Sequence, residues 1–479
     1  MEFLGLEIAK RALMAQQRAL LVSGHNVANA ATPGYTRQKV ILKAVPPPEG
    51  TELRGIAGGG VEVAGITRIR DLFLDLGYRE QAEALGRWEV RSQYLAQVEE
   101  ILREPSDFSL GAALDAFWDS WQLLSLNPES IAAREQVRQR GEILVERFKE
   151  ADRRLSELAY QIDRTVEAKV AEVNQIASRV ADLNRRITLL GGEGKSGTAD
   201  LEDERDLLLD RLSRLTGARV YHSEEGLRVM VGDHYLVAGE RWFELEAEPD
   251  PDLGGSYRVV WAASGERARL EGELGSLLEV RDRDLAGYRE SLRRLAWGVA
   301  SEVNEWHGGG YDLAGNPVAG ENWQNFFVNK SDLSPPDYGF TAYADFRIAD
   351  WRVNPEIAQD VRRIAAASSP GLPGDGSNAL AIADLRRTSI AFLDDATPGD
   401  FHRRIIGSLG VAAQGARDQA RTQELLVQQI EQQRQAVSGV NLDEEMMEMV
   451  RAQHAYGVAA RFAGVVDEML RILIERVGA

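Results

Sequence analysis

The longest proline-free stretch of the chain decides what overall shape it can adopt. No proline occurs between Pro128 and Pro249, and roughly the first sixty of these residues carry apolar side chains at alternating steps of three and four. Towards the end of this helical pattern the apolar stripe comprises Val173, Ile176, Val180, Leu183, Ile187 and Leu190. A single helix of that length would span roughly 90 Å. The sequence therefore predicts an elongated rod rather than a globule.

The N-terminal segment predicts a helix that is weak on its own. Its apolar and small residues are again three and four apart, at Leu6, Ala9, Leu13, Gln16, Leu20, Ser23 and Val27. This is the spacing of a coiled-coil seam, but a short seam with alanine, serine and glutamine needs a partner. Thr32 precedes Pro33 and is therefore disfavoured in the α region. Gly34 then permits a turn before Tyr35, so the helix should end near Asn29.

The C-terminal segment is the candidate partner. Its three-four spacing continues without a slip at Met446, Met449, Gln453, Tyr456, Ala460, Ala463, Asp467, Leu470, Ile474 and Val477. Asn441 followed by Glu444 predicts a capping box at its start. The first 43 residues are mainly basic and the last helix is mainly acidic, which favours pairing of the two. Asp467 is either buried beside a cation or a second subunit, or lies at the solvated edge of the seam.

Between these ends the helical pattern is interrupted by extended segments. Residues 35–69 predict a long β-hairpin near 36–66 with a mobile tip. In residues 216–272 the apolar period changes to two and turn signals recur, which indicates a small β-rich insert. Residues 308–353 are rich in glycine, proline and aromatic residues, and predict an irregular segment that could extend the outer domain.

Together these patterns predict a mainly α fold. We expect an elongated multi-helix bundle with paired N- and C-terminal coiled-coil helices and an inserted small β-rich domain. The predicted domains are a terminal coiled-coil domain of 1–34 with 440–479, a long helical-bundle domain of 35–215 with 273–439, and an outer insert of 216–272. Because the helices that flank the insert come from both halves of the sequence, the chain should run out and return.

Composition narrows the classes of function. The chain has 479 residues, a net charge of −19 and no cysteine. The charge argues against nucleic acid and membrane as partners, and the absence of cysteine excludes disulfides, thiol catalysis and cysteine-ligated metals. No apolar run reaches the ~18 residues of a membrane span. Lys10 and Arg11 interrupt the N-terminal apolar positions, so we expect no cleaved signal peptide, and either a cytoplasmic protein or export by another route.

Two glycine-rich stretches resemble ligand-binding motifs without their structural context. Gly192–Gly197 matches a dinucleotide fingerprint and part of a phosphate-binding loop, but a long helix precedes it instead of a strand. His307 is followed by three glycines, but the chain has no nucleophile elbow, so a helix end explains it better. The six histidines are scattered and predict surface or capping roles. We therefore expect no catalytic residue, no cofactor and no metal site.

The two ends carry recognisable signatures. ALMAQQRALLVSGHNVANAATPGYTRQ, at 12–38, resembles the N-terminal signature of the flagellar axial proteins of rod, hook and hook-associated type. The segment 438–477, which begins SGVNLDEEMMEMV, resembles their C-terminal signature. Three inner segments resemble the hook-associated protein 1 family in particular: LEGELGSLLEVR at 270–281, SEVNEWHGGGYDLAGN at 301–316 and AAASSPGLPGDGSNALA at 365–381. Residues 216–272 and 308–353 match that family weakly.

This resemblance implies a structural protein, not an enzyme, that forms the first ring of the hook–filament junction and adapts hook to filament. It implies self-assembly into a ring, with hook protein and hook-associated protein 3 as neighbours and an export chaperone on the C-terminal helix. It also implies an extracellular place in the bacterial flagellum, reached by type III secretion without a cleaved signal peptide. The residues expected to mediate subunit assembly are Leu6, Leu13, Leu20, Asn26, Val27, Asn29, Pro33, Gly34, Tyr35, Met446, Met449, Gln453, Tyr456, Ala460, Ala463, Asp467, Leu470 and Ile474.

Two other functions remain open at this point. One is another axial protein, of hook or distal rod, which the segment 438–445 and the long internal helices disfavour. The other is an axial protein with a cell-wall hydrolase module, which would need two carboxylates that converge in a cleft. The insert offers acids that also have turn or exposed-strand interpretations, namely Glu224, Glu225, Asp233, Glu244 and Glu246.

Overall fold

Helices account for most of the secondary structure in this computed structural model, which describes residues 4–46, 58–102, 109–191, 197–223, 226–251, 255–329 and 342–477. The helices are α1 Leu4–Asn29, α2 Leu72–Leu102, α3 Leu110–Leu126, α4 Ile131–Gly191, α5 Ala199–Thr216, α6 Gly272–Glu279, α7 Ala286–Gly308, α8 Pro355–Gln359, α9 Ser377–Asp384, α10 Pro398–Ser438 and α11 Leu442–Val477. A π-helical segment, Val280–Leu285, connects α6 to α7. The mainly α prediction is confirmed.

The strands form small antiparallel sheets. They are β1 Gln38–Ala44, β2 Val61–Arg68, β3 Arg219–Ser223, β4 Gly226–Val231, β5 His234–Ala238, β6 Arg241–Trp242, β7 Leu245–Pro249, β8 Tyr257–Trp261, β9 Phe327–Asn329 and β10 Trp351–Val353. The pairings are β1 with β2, β7 with β8, β9 with β10, and the four-stranded order β3-β4-β5-β6. The tip of the predicted hairpin lies outside the described residues, as do residues 192–196 of the glycine-rich stretch Gly192–Gly197.

The long proline-free segment is one helix, α4, of 61 residues. Its stripe is buried from Val173 to Leu183 as expected. The end of the stripe is not buried, and Leu190 is 53% exposed. Leu190 is exposed because α5 packs on the earlier turns of α4, where Arg179 lies 2.6 Å from Glu204 and Arg205 donates to Asn184. The last turn of α4 therefore extends beyond the helical packing.

A cluster of large aromatic rings fills the core between α3, α4 and the irregular segment 308–353. Phe326 lies 5.3 Å from Trp121, and Trp351 lies 5.2 Å from Phe148, measured between ring centroids. Phe327 is also fully buried against Trp351. The described part of the segment predicted to be irregular therefore packs Phe326, Phe327 and Trp351 into the helical core, where their area contributes strongly to stability.

The β-rich insert lies along the side of α4. Asn174 makes two hydrogen bonds to the backbone of Leu245, at 2.8 and 3.0 Å. Asp163 accepts from the amide of Tyr257 at 3.1 Å. These side-chain to backbone bonds satisfy strand-edge groups that would otherwise lose water on packing. The insert is thus held by the helix that it covers.

A buried polar group connects α4, α7 and the loops after α8. Arg134 is almost fully buried, and it donates Nε to Pro128 O at 2.8 Å and a terminal nitrogen to Ile364 O at 2.6 Å. His307 donates Nδ1 to Gln324 O and accepts the amide of Ala365 on Nε2. The surface or capping role predicted for the histidines is therefore wrong for His307, as it is for the buried His402. The predicted helix end after His307 is present.

We predict that His307 makes stability fall with acid. Burial lowers the pKa of His307 from 6.5 to about 4, with Arg134 adding to the effect. The unfolded chain then binds one more proton than the folded chain between these values, so stability present above pH 6.5 is lost as pH falls to 4. The loss attributable to this group is about 3 kcal/mol.

The measurement is urea unfolding of the wild type and of His307→Gln between pH 4 and 7. Because other carboxylates also titrate in this range, the difference between the two chains isolates His307. We expect the variant to be less stable at pH 7 and to show a shallower pH dependence. Parallel pH profiles in the two chains would contradict the prediction.

The two ends of the insert meet at a glycine that tolerates no side chain. Gly272 has φ +60°, and a Cβ there would lie 2.3 Å from Arg214 O. We predict that Gly272→Ala lowers the free energy of unfolding by more than about 1 kcal/mol, since the left-handed region alone costs that much. The matched control is Gly407→Ala, at an exposed position of α10 with open space around it. It should stabilise by about 0.5–1 kcal/mol in the same thermal and urea melts.

Candidate assembly site

The terminal helices α1 and α11 pack against each other in antiparallel directions. A Cβ on Gly5 would lie 3.3 Å from Val466, whereas at the other end Asn26 donates to Glu445 at 3.1 Å. The buried face of α11 recurs every seven residues, at Glu445, Ala452 and Ala459. Seven residues are two helical turns, so these three side chains share one face. The predicted pairing of the chain ends is present within a single chain.

The stripe predicted on α11 is adjacent to the face that meets α1. Its members Met449, Ala463 and Leu470 are half-buried. The others are exposed, namely Met446, Gln453, Tyr456, Ala460, Asp467 and Ile474. The face that packs on α1 begins one residue earlier, at Glu445. Asp467 is exposed in the single chain, as in the alternative that placed it at the solvated edge of the seam.

The stripe predicted on α1 is also only partly buried. Leu13 and Leu20 are half-buried, while Leu6 and Val27 are exposed. The buried side chains are Ala9, Ala15, Val22, Ser23 and Asn26. The difference arises because α1 packs on the β1–β2 hairpin as well as on α11; Gly60, for example, lies against Ile8. Because α1 has these two neighbours, its buried face differs from the seam that was predicted for a single partner helix.

Asn26, in the last turn of α1, makes hydrogen bonds to the segment that follows the helix and to α11. Its Nδ2 donates to Gln38 O at 2.9 Å and to Glu445 at 3.1 Å. Its Oδ1 accepts from Gln38 N at 3.0 Å and from the Tyr35 hydroxyl at 2.7 Å. A buried amide with four bonds has its donors and acceptors satisfied. Burial, and then the nearby carboxylates, raise the pKa of Tyr35, so its phenol stays protonated and donates.

Arg37 joins this turn to the start of α11. Its Nε donates to Glu445 at 2.6 Å, and a terminal nitrogen donates to Glu444 at 2.7 Å. Its backbone amide donates to Ser438 O at 2.9 Å. Burial opposes the charge, but the hydrogen bonds and charges of the two glutamates raise the pKa of Arg37. We name Asn26, Tyr35, Arg37, Glu444 and Glu445 the terminal clasp.

The capping box predicted at the start of α11 is only half formed. Asn441 Oδ1 accepts from the amides of Asp443 at 3.0 Å and Glu444 at 3.4 Å, as an N-cap should. The side chain of Glu444 pairs with Arg37 instead of returning to the cap. Glu444, which the local sequence pattern assigned to capping, therefore forms an ion pair with Arg37 instead.

The remaining predicted residues of the turn lie outside the terminal clasp. Asn29 donates to His25 O at 3.1 Å and accepts from Thr32 at 3.2 Å, so its bonds are local. Pro33 is exposed. Gly34 has φ +78° and lies over the side chain of Leu207 on α5. These residues reverse the chain direction, and the structure brings only Asn26 and Tyr35 of the predicted set to Glu445.

A second polar cluster anchors the terminal clasp to the helical body, and sequence reasoning missed it. Arginines of β2, α2, α10 and the segment after β2 alternate with aspartates of α2 and α5. We name this cluster the arginine–aspartate ladder; its members are Arg68, Arg70, Arg79, Arg434, Asp75, Asp203, Asp206 and Asp210. The only sequence signal was the acid-rich run in α5, which reads DLEDERDLLLD from Asp200.

The ladder is well satisfied at its centre. Asp206 accepts from Arg68 at 2.8 Å and from Arg70 at 2.6 Å. Burial would raise the pKa of Asp206, but these arginines lower it overall. Asp203 binds the amide and hydroxyl of Thr36, at 2.9 and 2.6 Å. Thr36 precedes Arg37, so the ladder continues directly into the terminal clasp.

The described residues hold no group of three or more histidine and acidic side chains arranged for a metal ion. Within those same residues no helix has the length and apolar character needed to cross a membrane. Of the acids considered for a hydrolase, Asp233 pairs with Arg269 at 2.9 Å. Glu224 and Glu225 lie outside the described residues.

Comparison with known proteins identifies the family. The chain is 31% identical to flagellar hook-associated protein 1 of Bacillus subtilis, over 99% of this chain and 98% of the relative. The chain belongs to the flagellar hook-associated protein 1 family. It is also similar to flagellar hook-associated protein 1 of Salmonella typhimurium, with 27% identity over 97% of this chain and 98% of that one. The chain is thus a structural protein of the bacterial flagellum.

Family models divide the chain as the sequence signatures did. Residues 95–327 match the flagellar hook-associated protein FlgK helical domain. Residues 6–36 match the flagella basal body rod protein, and residues 430–476 match the flagellar basal body rod FlgEFG protein C-terminal. The ends therefore match models of rod proteins, while the middle, including residues 216–272, matches the FlgK model.

A solved structure supports the fold. The flagellar hook junction protein FlgK from Burkholderia pseudomallei matches with a TM-score of 0.62 and 16% identity. The match covers 77% of this chain and 100% of that one. At this identity the likeness establishes the shared fold, including the predicted bundle.

We predict that the two glutamates of the terminal clasp contribute unequally to the stability of the terminal helix pair. Glu445 has a side chain 3% exposed, whereas that of Glu444 is 51% exposed. Glu445→Gln leaves Arg37 without its buried partner and should destabilise the terminal pair by about 1.5–3 kcal/mol. The matched change Glu444→Gln removes an exposed pair and should cost at most about 1 kcal/mol.

Hydrogen exchange of backbone amides reads out this difference locally. In Glu445→Gln we expect faster exchange in α1 and α11 and unchanged exchange in the centre of α4. Equal effects of the two substitutions on α11 would refute the assignment of Glu445 as the buried anchor.

Proposed function

We propose that this chain forms the first ring of the hook–filament junction and adapts hook to filament. Its neighbours in this proposal are copies of itself within the ring, hook protein on one side and hook-associated protein 3 on the other. Support comes from relatives that span nearly the whole chain and from the axial-protein matches at both ends. Support also comes from the helical middle, which matches hook-associated protein 1 rather than rod proteins.

The observation that carries the proposal is the apolar surface that α11 leaves exposed. Beside the face that meets α1 runs a second stripe of exposed side chains, namely Val458, Phe462, Val465, Met469 and Ile472. The stripe predicted from sequence lies on the other side and is exposed at Met446, Tyr456 and Ile474. Large apolar patches on a soluble chain mark interaction sites. Neighbouring terminal helices in a ring would cover both faces.

The polar clusters suit this role because they give the terminal pair a defined direction. The terminal clasp fixes α1 to α11, and the arginine–aspartate ladder fixes both to α2, α5 and α10. In this proposal 1–34 with 440–479 acts as the inner coiled-coil domain, 35–215 with 273–439 forms the helical body, and 216–272 forms the outer insert. The body then holds each subunit at a set angle in the ring.

Export completes the proposal. The chain would leave the cell through the flagellar type III pathway without a cleaved signal peptide and reach its extracellular place in the flagellum. An export chaperone would cover α11 beforehand, since its exposed apolar side chains need a partner before assembly as well as after it. The proposal involves no catalysis and no cofactor, and the net charge of −19 disfavours nucleic acid or membrane as partners.

Deletion of residues 445–479 tests the central role of α11. We expect a folded helical body that no longer assembles, because the deletion removes Glu445 and both apolar stripes. The assay is expression in a flagellated strain that lacks its own junction protein. Filament subunits shed into the medium by the deleted chain, and retained by the full chain, are the expected result. Attached filaments with the deleted chain would contradict the proposal.

A point variant separates assembly from folding. Val458→Glu with Val465→Glu places charge on the second stripe, and should release filaments while leaving the unfolding temperature unchanged. The matched control is Arg461→Glu, an exposed position of the same helix outside this stripe. Because burying a valine is worth about 1.5–3 kcal/mol, the double variant should weaken assembly far more than the control. Equal filament attachment in both would remove the stripe from the proposal.

A further inference from the structure

A cavity of about 710 Å³ lies between the last turns of α4, α5 and the four-stranded sheet. Among the described residues that line it, the charged side chains are Arg205, Arg228, Arg241 and Glu240. For a chain of net charge −19, this part of the wall is basic. Asn184, Ile187 and Thr188 of α4 line one side of the cavity. Neither the terminal clasp nor the arginine–aspartate ladder uses it.

Arg205 is the group that sets the chemistry of this cavity. Its Nε is buried and has no acceptor among the residues that the structure describes. A terminal nitrogen donates to the neutral Oδ1 of Asn184 at 3.1 Å. Burial lowers the pKa of Arg205, which reflects the cost of holding this cation away from water.

The two carboxylates that raise the pKa of Arg205, Asp206 and Glu202, form ion pairs with other arginines. Asp206 accepts from Arg68 and Arg70, and Glu202 lies 2.8 Å from Arg68. Arg205 is therefore left at the edge of the ladder with its charge facing the cavity. Because Arg205 lines the cavity, an anion bound there would lie against its guanidinium group and offset the cost of its burial.

The other walls are suited to holding such an anion. Asn184 also donates to Gly239 O at 2.8 Å, which holds the end of α4 against the turn between β5 and β6. The ring of Tyr235 lies 5.6 Å from the guanidinium of Arg228. Burial and the charge of Arg205 lower the pKa of His222, so its neutral ring can donate one hydrogen bond. Guanidinium groups bind carboxylate and phosphate oxygens with two parallel bonds.

We propose that this cavity binds a single oxyanion, a carboxylate or a phosphate group, on Arg205 with Arg241 beside it. The anion comes either from a free phosphate or from an Asp or Glu side chain of a second copy of this chain. The chemistry of recognition is the same for both sources. The proposal is independent of the junction role, since the cavity contains no residue of the predicted assembly set.

Inorganic phosphate is the probe for the first source. Isothermal titration of the full chain at constant ionic strength should show one site per chain. Arg205→Gln should weaken that binding about tenfold or more, the loss expected for a charged hydrogen bond. The matched control Arg185→Gln changes an exposed arginine of α4 that pairs with Asp182, and should leave binding within about twofold.

Sedimentation equilibrium in phosphate-free buffer addresses the second source. If the anion is a side chain of another copy, the wild type self-associates, phosphate competes with this association, and Arg205→Gln abolishes it. Arg241→Gln, at an exposed position of β6, provides a second variant if Arg205→Gln lowers the helix content, and it should weaken binding severalfold. The proposal is overturned if phosphate binding and self-association are both absent, or if neither depends on Arg205 or Arg241.

Discussion

The buried carboxylate of Glu445 holds the first turn of α11 to two segments near the other end of the chain. It accepts from Arg37, at the start of the hairpin, and from Asn26, at the end of α1. An isolated buried carboxylate would destabilise the fold by several kcal/mol. The first turn of α11 can therefore pack only when the turn at 30–35 has brought Asn26 and Arg37 together. Formation of that turn and pairing of the terminal helices are coupled through one side chain.

Away from the terminal clasp, the helix pair is held by small residues. Ala9 and Ala15 on α1, and Ala452 and Ala459 on α11, bury little apolar area, so they add little to stability. Several larger apolar side chains of α11, such as Val458, Phe462 and Met469, are exposed. This division explains how one helix can pair within its own chain and still keep surface for neighbours. It also agrees with the proposed export of the chain before it assembles.

Much of the architecture follows from local patterns. The three-four stripe without proline predicted α4, and the change of period to two predicted the β-rich insert. These features depend on neighbours within a few turns, where the helical and extended periods differ clearly. Asn26 and Tyr35 could also be predicted as site residues, because both lie in one contiguous signature of the sequence.

By itself the sequence determined the helical content, the order of the elements, the family and the pairing of the chain ends. Only the tertiary structure decided which face of α11 meets α1, since that face is formed by Glu445, Ala452 and Ala459 and not by the more apolar stripe one residue away. It alone revealed the arginine–aspartate ladder, the buried His307 and the cavity at Arg205. Each of these depends on charges or polar atoms brought together from distant segments, and their energies arise from burial and distance, which no local period encodes.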